Sequence, residues 1–500
     1  MIRKSLCFLC ILLPLSGCFI NDAFIAGTTN ETPSTILNSA GGTDAFITKV
    51  SSAGVHEWSY KIGGPLTDSA NAIATDSVGN AFIVGGKIYN IDMDPTSGTD
   101  FIDYVGNGID SYITKINSDG TYGFSKIFYG SSATFKSIAI DSSDNIFLSG
   151  YFGFGYDFDP SEEGQDVRGA NGNTSYQDVF LVKLDSNGIY QWTLTFGGTG
   201  AELANDMVLD PSGNIIIMGT FQGTVDFDPT SGTDTKSAVV DGFNNDMFLT
   251  KIYADGTYAW TNTFQLTTFG SASEGSLDTD SAGNIFFTGY FRDTVDFDPT
   301  AGTDSRTSSV FQDMYLTKIN ADGTYGFSTV YTSSTGTGSG VSPTALTIDS
   351  SNNVHIVGYF INIDFTPSDS TTGSFDAANS TIPDSFLAKF DSTGTLLTAS
   401  IYGNLLQHSI KIDSAGDVIT GGALIGSAGN VDFDPGAGTV LRSALGDFDV
   451  YLNKITSAGV HSWVSIRGDT GDDYVNSIAI GADDAIIAAG IFELHPDFNP

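Results

Sequence analysis

A six-residue pattern returns seven times at nearly constant spacing, and no other feature limits the fold as tightly. It reads DAFITK at Asp44, DSYITK at Asp110, DVFLVK at Asp178, DMFLTK at Asp246, DMYLTK at Asp313, DSFLAK at Asp384 and DVYLNK at Asp449, at intervals of 66, 68, 68, 67, 71 and 65 residues. So steady a period over 500 residues means one supersecondary unit used repeatedly rather than several unrelated domains. Within a unit, DMFLTKIYADGTYAWTNTF reads as two strands around an ADG turn, and SLDTDSAGNIFFTGYF as a second hairpin whose Gly283 and Asn284 tolerate positive φ. An acidic segment follows, read as the exit from the unit's last strand.

Four short strands repeated radially predict an all-β fold, a single β-propeller, because each blade buries both faces against its neighbours. DVFLVKL supports this: Phe180, Val182 and Leu184 on one face and Val179 and Leu181 on the other are all apolar, as suits a strand sandwiched between blades. The run from Asp44 to Gly86 resembles the SBBP β-propeller repeat of bacterial surface and secreted proteins. The likeness recurs from about residue 22 to the end. It implies a seven-bladed ring and carries over no catalytic residues.

The ends leave a counting problem. The strand that closes the second hairpin occurs first in NDAFIAG, residues 21–27, and again in each unit, last in DDAIIAAG. That makes eight copies against seven of the other strands. The chain also stops at HPDFNP, inside another acidic segment. Seven blades with a redundant strand at the seam is the preferred reading, and an unfinished eighth blade the alternative.

The leader MIRKSLCFLCILLPLSGC places Arg3 and Lys4 before an apolar run and small residues before Cys18, an export signal too short to span a bilayer. Its ending LSGC resembles the lipobox of bacterial lipoproteins, which implies cleavage before Cys18 and lipidation of that cysteine. With Phe19 after it, the same resemblance favours the outer membrane. The expected division is a signal peptide over 1–17, a tether over 18–21 and a propeller over 22–500. All three cysteines lie in the leader, so the mature protein would have no internal disulfide. The net charge of −38 would repel phosphate backbones, which argues against nucleic-acid partners.

Three recurrent features invite chemical readings. The acidic segments place aspartates two apart and a third beyond a glycine: Asp92, Asp94, Asp100; Asp226, Asp228, Asp234; Asp296, Asp298, Asp304. Such sets could offer oxygen ligands to Ca²⁺, although turn chemistry alone accounts for Asp, Pro and Gly together. Aromatics four residues after the first turn's glycine, Trp58, Phe124, Trp192, Trp260, Phe327 and Trp463, are broken by Thr398. They read as interblade packing, with a ligand-binding ring as the alternative. Lysines recur once per unit, at 49, 115, 183, 251, 318, 389 and 454; they read as local charge compensation, or else as a cationic ring around the channel. Neither the five histidines nor any Ser-His-Asp arrangement forms a recognisable catalytic motif.

The expectation is therefore a monomeric, lipid-anchored module that binds protein or polysaccharide without catalysis. A hydrolase or lyase with its site in irregular loops such as 161–177 is the alternative. A deep pocket gathering carboxylates and a histidine from several blades would weigh for the enzyme.

Overall fold

A computed structural model describes residues 36–498 apart from 88–89, 103–108, 131–132, 154, 162–163, 172–175, 240–244, 267–270, 309–311, 333–339, 366–373, 378–383 and 427–428. Seven four-stranded antiparallel blades form a ring. Blade 1, from the channel outward, is Ser69–Thr75, Ala81–Lys87, Asp110–Ile116 and Tyr122–Phe128. Blades 2 to 6 follow, with first strands at Ala133–Ile140, Leu203–Leu209, Ser271–Thr279, Val341–Ile348 and Leu405–Ile412. Blade 7 joins the two ends of the chain: Tyr474–Ile480 and Ile486–Phe492 are completed by Asp44–Val50 and His56–Ile62.

The blades are thus seven, and each is shifted by one hairpin from the unit read in the sequence. The second hairpin of one repeat forms the inner half of a blade, and the first hairpin of the next repeat forms its outer half. Pairing of Ala81–Lys87 with Asp110–Ile116 sets this frame. The closure therefore uses a hairpin, not a single strand. The additional strand copy at 21–27 lies outside the described residues, as do the leader and Cys18.

Burial follows the sandwiched pattern. Asp44–Val50 and Asp246–Ile252 are buried along their whole length, and the core lies between blades. One cluster joins Phe147, Val179 and Leu181 of blade 2 to Ile215, Ile217 and Phe248 of blade 3. At the tight inner turns, Gly283 takes φ of 77°, whereas Asn284 uses its backbone and side-chain amides to bond Asp280 at 2.9 and 2.8 Å.

The acidic segment does not leave a blade. It lies between the second and third strands of one blade and folds into a small clasp, Thr224–Asp226 paired with Thr235–Ser237 in blade 3. The clasp adds to the outer strand of the preceding blade, Val225 opposite Gly198 and Asp226 opposite Gly197; Val295 meets Leu266 in the same way. Its far aspartate accepts a hydrogen bond from a tyrosine on the outer strand of its own blade: Tyr122 to Asp100, Tyr258 to Asp234, Tyr325 to Asp304. Tyr190 reaches Asp166 at 2.5 Å, so the second segment, one residue longer, performs the same closure. The clasps of blades 3 and 4 thus link two blades and cover an edge strand. Tyr258→Phe should cost about 1–2 kcal/mol, read from the shift in urea midpoint at unchanged slope.

The seam is clasped by both ends. Asp497 bridges to Gly468 of blade 6 and to Ile36, and Phe498 is buried with its ring 4.6 Å from Phe46 and 6.3 Å from Phe492. It takes the place that Phe227 has in blade 3, against Phe221 and Phe248 at 5.2 and 5.1 Å. Asp497 and Phe498 are therefore part of the seventh clasp, not the start of an eighth blade.

Candidate functional site

The first strands of all seven blades line the central channel, and each carries a β-bulge at the same level: Asn71, Lys136, Asn205, Gly275, Thr344, His408 and Asn476. A bulge re-aims a side chain that regular pairing would direct into the sheet. Several of these residues bond the next blade. Asn71 Nδ2 donates to Phe135 O at 3.0 Å, Thr344 Oγ1 to Gln407 O at 2.6 Å, and Asn476 Nδ2 to Ala70 O at 2.8 Å. His408 Nδ1 lies 2.9 Å from Val475 O, which assigns that nitrogen its proton. Neighbouring inner strands are not paired as a ladder, so this belt of side-chain bonds holds the channel wall together.

The belt and the residues that follow it line a cavity of about 230 Å³ in the channel, in which charges come together from several blades. Asp206 Oδ1 accepts from Met207 N at 2.8 Å and from Ser137 Oγ of blade 2 at 3.3 Å. Its Oδ2 accepts from Ser276 Oγ and Leu277 N of blade 4 at 3.0 and 3.2 Å. Asp278 accepts from Thr279 N at 2.8 Å, and from Thr347 Oγ1 and Ile348 N of blade 5 at 3.2 and 3.0 Å. Burial pushes both carboxyls up despite these bonds and the nearby Lys411 ammonium. Lys136 and Lys411 are exposed to the channel.

The channel does gather two carboxylates and a histidine, the arrangement that would weigh for an enzyme. Their bonds give them another role: each carboxylate spans blades through three or more donors, and the imidazole is fixed to a carbonyl. What faces solvent is a ring of amides, hydroxyls and two ammonium groups. These residues escaped the sequence reading, although a signal existed. When the repeats are stacked, the column of Asp206 otherwise holds only Ala and Ser, and the column that Asp278 and Lys411 share otherwise holds Ala, Val and Thr.

The aspartates considered for Ca²⁺ sit in the clasps. Asp92 Oδ1 accepts from Asp94 N and Asp100 N at 3.1 and 2.7 Å, and Asp226 and Asp296 repeat the pattern. Asp94, Asp228 and Asp298 each accept from the backbone and hydroxyl of the threonine two residues on. Turn bonds thus build these loops. Among the described residues no group of three or more His, Cys, Asp or Glu side chains is placed to share a metal ion. The irregular loop 161–177 is largely the second clasp, with Val167 and Arg168 pairing against Asp157 and Tyr156; 162–163 and 172–175 lie outside the described residues.

The repeated lysines stand away from the channel. Their partners are mainly the aspartates opening the inner-hairpin turns: Lys115–Asp76 3.5 Å, Lys251–Asp210 2.9 Å, Lys389–Asp349 2.9 Å and Lys454–Asp413 2.6 Å. Against the cost of burial, hydrogen bonds from Asn353 and Lys389 hold the Asp349 carboxyl below its ordinary range. In blade 7, where Gly481 replaces that aspartate, Lys49 turns to Asp483 at 3.3 Å.

The outer-strand aromatics pack between blades. Each covers the turn glycine of the next blade's outer hairpin: Trp58 on Gly120, Phe124 on Gly188, Trp192 on Gly256, Trp260 on Gly323, Phe327 on Gly394 and, across the seam, Trp463 on Gly54. A methyl group added at five of these glycines would come within 2.7–3.0 Å of the ring, and at Gly256 within 3.5 Å; all six also take positive φ, so glycine is required.

Half of the chain resembles an uncharacterised WD repeat-containing protein of Acanthamoeba polyphaga mimivirus, 27% identical over 250 residues, which are 45% of this chain and 17% of that protein. The chain therefore matches only a small part of this relative's length. Among solved structures, the Dos1 propeller is 10% identical, with a TM-score of 0.39 over 91% of this chain and 94% of that one. A Bacteroides caccae protein of unknown function is 9% identical, with a TM-score of 0.34 over 71% and 93%. Residues 57–85 match the beta-propeller repeat family SBBP, and the molecule they belong to is a seven-bladed β-propeller.

Proposed function

We propose that the protein is a non-enzymatic binding module, exported and held to a bacterial outer membrane through lipidated Cys18, that engages a polysaccharide at the channel mouth. The observation that carries this reading is the use of the channel's side chains. Asp206, Asp278 and His408 are committed to bonds between blades, while at the mouth the Lys136 ammonium and, beyond the interblade bond each side chain makes, the amide oxygens of Asn71 and Asn476 and the hydroxyl oxygen of Thr344 are offered to a ligand. Such a surface can exchange hydrogen bonds with a polyol without a positioned acid and base. The remainder of the surface is strongly acidic, which favours a neutral glycan over a polyanion.

Affinity electrophoresis through gels containing dextran, xylan or β-glucan tests the site. Retardation by at least one of these is expected, with its loss in Lys136→Trp, which obstructs the mouth from an exposed position. No retardation in any gel, or equal retardation of the variant, would sink the proposed site. Anchoring is tested separately: Cys18→Ser should abolish palmitate labelling and move the protein to the soluble fraction, and retained label would contradict it.

A further inference from the structure

The interblade packing is broken at one place, and the break leaves a cavity. Six aromatic rings cover six turn glycines, but in blade 5 the position belongs to Thr398, which is exposed. Its counterpart Gly459 in blade 6 has no atom within 4 Å of where a Cβ would stand. A second change accompanies the first. In blades 1, 2 and 4 the covering aromatic meets a phenylalanine edge, Phe124 on Phe82 at 6.2 Å, Trp192 on Phe147 at 6.3 Å and Phe327 on Phe286 at 6.3 Å. In blade 5 that phenylalanine is replaced by His355, whose Nε2 lies 3.2 Å from Asp349 Oδ2.

Between these blades lies a cavity of about 320 Å³. Leu387, Val418, Pro435 and Ile455 form its apolar walls, and His355 and Lys389 supply its polar edge. Elsewhere the lysine lies over the phenylalanine that His355 replaces, Lys115 4.9 Å from Phe82 and Lys183 4.9 Å from Phe147; in blade 5 Lys389 pairs with Asp349 at 2.9 Å and stands at the edge of the cavity. We propose that the gap between blades 5 and 6 is a binding site for a small planar aromatic molecule of about indole size, which takes the place of the absent Trp or Phe. Its ring would lie on the Gly459 turn, with a polar substituent directed to His355 and Lys389. An apolar cavity shaped by a missing side chain characteristically accepts a ligand that restores the lost contacts. This site is separate from the channel and does not rest on the polysaccharide reading.

Indole is the probe, titrated by calorimetry or saturation-transfer NMR. One saturable site is expected in the wild type, with affinity lowered at least tenfold in Thr398→Trp, which fills the gap from within. Trp192→Thr, in a protein shown to be folded by circular dichroism, should open an equivalent gap and raise the stoichiometry from one to two. Absence of saturable binding by the wild type, or undiminished binding by Thr398→Trp, overturns the proposal. So does loss of indole binding in Lys136→Trp, since that would place the ligand in the channel.

Discussion

Replacing Glu202 by Gln should stabilise the protein by about 2–3 kcal/mol at pH 8 and leave it unchanged below about pH 4.5. Glu202 and Asp178 are both buried and in mutual contact where blade 2 crosses to blade 3. Glu202 Oε2 accepts from Gly198 N at 2.8 Å and Asp178 Oδ2 from Asn171 N at 2.8 Å. The remaining oxygens, Glu202 Oε1 and Asp178 Oδ1, have no other donor, an arrangement that needs a proton between them. Burial accordingly pushes both carboxyls up, Glu202 to about 7. A folded-state pKa raised above the unfolded value contributes stability that is complete below the unfolded value, near 4.5, and is lost as pH rises through about 7. The amide of Gln supplies a permanent donor to Asp178, so the variant should lose this pH dependence. Parallel stability profiles for the two proteins between pH 4 and 8 would rule out the shared proton.

Phe227→Ala should cost about 3–5 kcal/mol, because the ring is fully buried among Phe196, Phe221 and Phe248 and anchors a clasp joining two blades. Phe498→Ala should cost a similar amount, since it holds the corresponding place at the seam. Chemical denaturation of the two variants checks both. A loss below about 1 kcal/mol for Phe498→Ala would show that the seam does not share the construction of the other clasps.

Much of this architecture was legible in the sequence, because the 65–71 residue spacing and the double-sided apolar strands are direct consequences of blade packing. The phase of the repeat was not. Period alone does not say which hairpins share a sheet; that depends on the pairing of Lys87 with Asp110 across a long link. The same ambiguity misplaced the acidic segment, whose partners Gly197 and Gly198 belong to the blade before it. Asp166 fell one residue outside the expected spacing, yet it meets Tyr190 as its counterparts meet theirs. Thr398 was visible as a break in a column. Its meaning appeared only when Gly459, 61 residues further on, proved to be the partner left uncovered.

Closure of blade 7 also dictates an order in time. Asp44 pairs with Phe492 and Val50 with Ile486, so the first blade strand among the described residues receives its second ladder partner last. Until residue 492 has emerged, a seven-residue strand that is fully buried in the finished ring must wait with one edge unmatched. Contacts of such sequence separation make folding slow and leave the growing chain open to edge-to-edge association. Joining the ring therefore waits on the last of these strands, and until then the open edge of Asp44–Val50 is the part most in need of protection.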